Sequence, residues 1–349
     1  MDWLGAGTDG PMALIRTIHF AATAVIAGSL IFRAVVAEPA LRSTQMPTAI
    51  RSQILLTAWI SLAIAVASGV IWLQLQAASM SGRGFGEAMT SDVLSTVLNE
   101  TQFGLVSKIR LVLAIILAAC LAYDRVALLR WFALVSALGF VAAIAWTGHG
   151  GSTPGEMGEL HVTADALHLC AAAAWIGGLA SLALLLSAAR RHEGIAWASL
   201  ARDAAQRFST LGIVSVATLL VTGIVNAWIL VGSFQALLIT EYGRLLMLKL
   251  VVFVSMLVFA AVNRFRLTPQ LASSSSGKEA QLTALRQLTR NSVIEIVLGF
   301  TIFAIVGALG TLHPAFHFMT DDAVNVSSTS VQGASKTIGK KTTKCESKG

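Results

Sequence analysis

Eight stretches of the chain are almost continuously apolar, at about residues 12–37, 50–77, 104–123, 128–147, 160–187, 207–232, 243–263 and 291–312. A helix of roughly 20 such residues crosses the hydrocarbon core of a bilayer. None of the stretches alternates apolar and polar positions with a period of two, so a barrel is excluded. Open strands are excluded too, because their backbone groups would go unpaired in lipid. The pattern predicts an all-α polytopic membrane protein of eight transmembrane helices.

The same pattern predicts a duplication. His19 is followed nine residues later by Gly28, and His168 nine residues later by Gly177. Ser68-Gly69-Val70 in span two matches Thr222-Gly223-Ile224 in span six. Phe103-Gly104, Arg110 and Asp124-Arg125 match Tyr242-Gly243, Lys249 and Asn263-Arg264 at identical spacing. Leu138-Gly139-Phe140 matches Leu298-Gly299-Phe300. Four matches in one order imply two four-helix repeats, 1–147 and 148–317, followed by a Ser/Thr/Lys-rich tail at 318–349 that reads as disordered. Four spans per repeat give both copies one orientation, and binding sites in such proteins lie where the repeats meet.

Charge supplies the topology. One set of alternate loops holds Arg33, Arg42, Arg51, Arg125, Arg130, Arg190, Arg191, Arg202, Arg207, Arg264, Arg266, Lys278, Arg286 and Arg290. The opposite loops hold Arg83 and Arg244. The positive-inside rule puts the first set in the cytoplasm and both termini in the periplasm. The acidic flank of the first span (Asp2, Asp9) argues against a cleaved signal peptide. Composition agrees with a membrane protein: 55% of the 349 residues are hydrophobic and only 12% are charged. A net charge of +7 then reflects basic loops rather than nucleic-acid binding. Three cysteines without CxxC spacing give no disulfide framework. Walker, Rossmann and HExxH motifs are missing, so neither an enzyme nor an ATP-driven pump is expected.

Six of the seven histidines fall in the outer half under this topology. His19 lies about 10 Å below the outer face, taking seven residues at about 1.5 Å each. His168 lies at similar depth, His161 at the outer mouth of span five, and His149, His313 and His317 in outer segments. His161, Asp165 and His168 follow i, i+4, i+7 spacing, with Trp175 seven residues further along the same stripe. Asp165 can orient a metal-bound imidazole by accepting its ring N–H; the alternative is a His–Asp pair that only locks helices together. Ionisable groups inside a span face a protein interior or a cavity. The loop from Gly148 to Glu159 adds Met157 beside imidazole and carboxylate. Imidazole and thioether suit copper, although methionine is also common apolar filler. Arg110 and Lys249 either snorkel to headgroups or serve Asp165 or an anionic ligand. Asn226 is placed to line the same cavity.

These residues resemble the CopD family of bacterial inner-membrane copper-resistance and copper-uptake proteins. The resemblance rests on His161 to Leu182 with its Ala172-Ala173-Ala174-Trp175-Ile176-Gly177-Gly178-Leu179 core, then Arg207-Phe208-Ser209 and Thr222-Gly223-Ile224-Val225-Asn226-Ala227. Tyr242-Gly243-Arg244-Leu245-Leu246-Met247-Leu248-Lys249 and Asn263-Arg264 complete it. It spans about residues 12–317 and is most specific over 160–310 (a CopD-like core of about 160–312). It implies copper handling from the periplasmic side of the inner membrane, alongside a small CopC-like periplasmic copper protein; a homo-oligomer is compatible with this layout.

The leading expectation is therefore a copper transporter. Copper enters past His149, Met157 or His161, and His19 and His168 then hold it jointly in one pocket at the repeat interface, with Asp165 behind them. The scarcity of His and Met in the inner half is a weakness of that path. Two rivals remain at this point. One is a haem b electron carrier with His19 and His168 as axial ligands and Arg110 or Lys249 on its propionates. The other is a handover factor that passes copper on without net transport.

Overall fold

The computed structural model describes residues 9–40, 48–82, 84–148, 155–192, 195–231, 234–272 and 278–312. His149, His313, His317 and the 318–349 tail lie outside the described residues. All regular elements among the described residues are helical. Among the described residues eight helices are long and apolar enough to span a membrane: α1 (Gly10–Ala40), α2 (Ala49–Ser81), α3 (Gln102–Ala122), α4 (Ala127–Thr147), α5 (Glu156–Arg191), α6 (Ala196–Leu230), α7 (Glu241–Leu271) and α8 (Glu279–Leu309).

Several helices outrun the apolar stretches that announce them. α6 starts at Ala196 and α8 at Glu279, well before their membrane portions. The added turns carry Arg202 and Arg207, or Arg286 and Arg290. A helix propagates beyond lipid as long as good helix formers continue it, and hydropathy does not register those turns. Two short helices were also invisible to hydropathy, Ser91–Glu100 before α3 and Phe234–Ile239 before α7.

α1 and α5 form the centre. Their apolar windows are 78% and 72% buried, against 17% for α6 and 6% for α7. The outer helices instead turn apolar side chains outward, including Trp228, Val251 and Phe265, as lipid-facing surfaces require. The two central helices cross at Gly28 and Gly177. A Cβ on Gly28 would collide with backbone atoms of Ala173 and Gly177, and one on Gly177 with the carbonyl of Ala24. Only glycine permits this approach of backbones, the usual use of small residues where membrane helices meet. Nearby, Ser181 Oγ donates to Ser29 Oγ at 3.0 Å.

Residues matched between the halves make matching local contacts. Thr101 caps α3 by accepting from Gly104 N–H at 3.0 Å, and Thr240 caps α7 by accepting from Gly243 N–H at 3.0 Å. α1 and α8 run antiparallel, with Arg16 donating to the Gly310 carbonyl at 3.1 Å. The start of α1 and the end of α8 thus share one face. The Arg-rich loops lie at the opposite face. There Asp124, just beyond α3, accepts from Arg33 and from Arg51 (2.7 Å), while Glu38 accepts from Arg130 at 2.9 Å. Burial alone would raise the Asp124 carboxyl, but hydrogen bonds and charge from Arg33 and Arg51 outweigh it and hold the group below the usual carboxylate range.

Candidate metal centre

Each half positions one intramembrane imidazole by the same device. On α1, His19 Nδ1 lies 3.0 Å from Ser68 Oγ on α2. Ser68 Oγ already donates to the Ile64 carbonyl at 2.7 Å, so it accepts from the ring N–H. On α5, His168 Nδ1 lies 2.9 Å from Thr222 Oγ1 on α6, which donates to the Thr218 carbonyl at 2.6 Å. Gly69 and Gly223 sit against the two imidazoles, leaving room for the rings. Both rings therefore donate from Nδ1, an assignment made from the partners' roles.

The other ring nitrogen distinguishes them. His19 Nε2 accepts from the guanidinium of Arg110, which also donates to the Phe140 carbonyl at 2.8 Å. Arg110 stacks over Phe140 at 4.2 Å, and Trp72 packs edge-on to His19 at 5.3 Å. His19 and Arg110 are both buried. Arg110 thus neither snorkels nor serves Asp165; the His19 nitrogen, the Phe140 carbonyl, Thr23 Oγ1 at 3.5 Å and an aromatic wall retain it inside. His168 Nε2, by contrast, has no hydrogen-bond partner among the described residues. It lines a cavity of about 200 Å³ with His161, Asp165, Asn226, Tyr242 and Lys249.

That cavity lies between the halves and opens at the face opposite the Arg-rich loops, where α1, α4, α5, α6, α7 and α8 meet. Asn226 Nδ2 donates to Asp165 Oδ1 at 3.3 Å, and Asn226 Oδ1 is buried without a partner. Lys249 shares the cavity and makes no ion pair within 4.0 Å among the described residues. His161 is buried on the cavity wall. Met157 is half-exposed at the start of α5 and does not line the cavity. Trp175 is buried against Phe253 at 6.0 Å and lines an apolar second cavity of about 250 Å³ that shares His168 and Lys249 with the first.

The expected single pocket for His19 and His168 is corrected by this geometry. His19 does not line the cavity, and protein groups occupy both of its ring nitrogens. A haem bridging the two imidazoles does not fit for the same reason, since each axial ligand must offer a free nitrogen. Among the described residues no three His, Cys, Asp or Glu side chains converge as a metal-binding group. The donors facing the cavity include the His168 nitrogen and the Asp165 carboxylate, with the His161 imidazole on the same wall. Ser68, Thr222 and Tyr242 escaped the site reading, although Ser68-Gly69 and Thr222-Gly223 had already stood out as a repeat signature.

Relatives bear on this arrangement. A family model described as copper resistance protein D-like, N-terminal domain, matches residues 8–159, and one described as copper resistance protein D matches residues 202–309. The chain is 27% identical over 303 residues to the inner membrane protein YebZ of Escherichia coli, covering 86% of this chain and 97% of that one. It is 30% identical over 263 residues to copper resistance protein D of Pseudomonas syringae pv. tomato, covering 74% and 82%. It is also 30% identical over 202 residues to the copper transport protein CutJ of Bacillus subtilis, covering 56% of this chain and 36% of that one. No solved structure matches. The chain is a multi-pass inner-membrane protein that belongs to the copper resistance protein D family.

Proposed function

We propose that this protein moves copper across the membrane through the cavity at His168, receiving it on the face opposite the Arg-rich loops. The observation that carries the reading is the free Nε2 of His168 beside the Asp165 carboxylate, in a cavity between the halves. A neutral imidazole is a good copper ligand. Thr222 fixes its tautomer so that the lone pair faces the cavity, the role that outer partners serve for metal-bound histidine. So few protein donors make a weak site, as a conduit requires: binding must suffice for entry yet permit release. A CopC-like periplasmic copper protein is the donor that suits this face, and the two halves are read as copies of one four-helix unit. The process is transport rather than catalysis.

The test is copper flux into proteoliposomes. His168→Ala is expected to lower flux at least tenfold, whereas His192→Ala, at the Arg-rich end of α5, leaves it unchanged. Equal flux in both variants contradicts the reading. Copper binding at His168 without flux in the unmodified protein favours the handover factor instead.

A further inference from the structure

A third cavity, mostly apolar but with a cluster of polar groups on its wall, lies toward the Arg-rich face, where the sequence offered no soft ligand. Its volume is about 370 Å³, and its wall includes Trp175, Ser209, Asn263, Arg264, Ser292 and Glu295. It shares Trp175 and Leu220 with the apolar cavity at His168, which in turn adjoins the outer cavity, so the three cavities are neighbours in series. Glu295 is 2% exposed and lies within the membrane portion of α8.

Its partners are neutral. Asn263 Nδ2 donates to Glu295 Oε1 at 2.6 Å, while Asn263 Oδ1 accepts from Asn291 Nδ2 at 2.9 Å. The amide of Asn263 is thereby fixed between two residues one turn apart on α8. Ser292, between them, is fully buried, and its Oγ lines the cavity without a partner. Arg264, from α7, is the one cation on the cavity wall among the described residues, and it donates to Ser209 Oγ at 2.7 Å. Arg264 makes no ion pair with Glu295 within 4.0 Å. On the cavity wall α5 places Trp175, Leu179 and Leu182, and the α6 residues there include Phe208 and Ser209 but not Arg202, Asp203 or Arg207, so neither helix brings a titratable side chain to it; α1 carries none between His19 and Arg33. On α8 itself the nearest charged residue is Arg290, more than one turn away. An ionised carboxylate at this depth without a counter-ion costs several kcal/mol. A proton removes that cost.

We propose that Glu295 is a proton-exchange site of the inner cavity. The carboxylic acid is neutral while the cavity lacks a cation. As a cation enters, the acid gives its proton to water at the Arg-rich face, and the carboxylate is compensated by the cation. When the cation leaves, a proton from the same face restores the acid. This exchange would make cation passage depend on proton release and rebinding at the Arg-rich face, with no net proton transfer across the membrane, and that dependence rests on the transport reading above.

Infrared difference spectroscopy tests the site without copper. In an Asp165→Asn background, which removes the other carboxyl facing the cavity series, a protonated-carboxyl C=O band is expected at neutral pH. Glu295→Gln, which keeps a hydrogen bond to Asn263, should erase that band, and Glu295→Asp should shift it. A band unaffected by Glu295→Gln, or only ionised carboxylate at neutral pH, overturns the proposal. Proteoliposome flux then tests the proton dependence. Flux is expected to depend on pH at the Arg-rich face in the unmodified protein and to lose that dependence in Glu295→Gln. An unchanged pH profile overturns it. Absence of flux in the unmodified protein would defeat the transport reading while leaving the infrared result to stand by itself.

Discussion

His19 and His168 occupy comparable settings with opposite outcomes. Each projects from a central helix, gives its Nδ1 proton to a hydroxyl one helix away, lies against a glycine, and has a cation on the third helix of its half. In the first half the cation is Arg110, whose planar fork reaches His19 Nε2 and the Phe140 carbonyl together. In the second half it is Lys249, and His168 Nε2 faces a cavity. Arginine offers five donors in a fixed geometry, whereas lysine is a point charge on a flexible stem. One substitution of cation type separates a closed, structural site from an open one.

The largest effect that probes this contrast is on stability. Arg110→Ala strips a buried network of charge-assisted hydrogen bonds and is expected to cost about 3 kcal/mol. Lys249→Ala removes a side chain without hydrogen bonds and should cost under about 1 kcal/mol. Thermal unfolding in detergent compares the two, and equal losses would remove the distinction between the sites. Next in size is Lys249→Arg, which gives the second half the cation of the first. A guanidinium reaching His168 Nε2 should weaken copper binding about tenfold, roughly 1.4 kcal/mol, with little change in stability. Unweakened binding would show that the cation type does not close the site.

The smallest effect concerns the Arg-rich face. Asp124 is held below its unfolded value, near 3.9, by Arg33 and Arg51. Its stabilisation is therefore complete above the unfolded value and is lost as pH falls through the depressed folded one. Asp124→Asn should lower stability by about 1 kcal/mol at neutral pH and remove part of the acid-induced loss. An unchanged acid limb would mean that the Arg33–Asp124–Arg51 network contributes nothing to folding.

The eight spans were legible because lipid imposes long apolar runs, and the pattern of loop charge already separated the Arg-rich end from the end where the His168 cavity lies. The i, i+4, i+7 stripe also placed His161, Asp165 and His168 on one cavity wall. The shared pocket of His19 and His168 was not legible, because depth along a helix says nothing of azimuth or of competing partners. Arg110 was left between a headgroup anchor and a partner for Asp165 or an anion, because its acceptor, the Phe140 carbonyl, is backbone and has no sequence signature. Glu295, a lone carboxylate inside an apolar run, was visible in the sequence; its meaning came only with Asn263, which α7 carries beside it.

Copper titration of the purified protein tests the central claim most directly, with His168→Ala compared against His19→Ala in samples verified as folded. Loss of binding in His168→Ala and retention in His19→Ala is the predicted result. Retention in His168→Ala together with loss in folded His19→Ala would contradict the assignment of the open site to the second half.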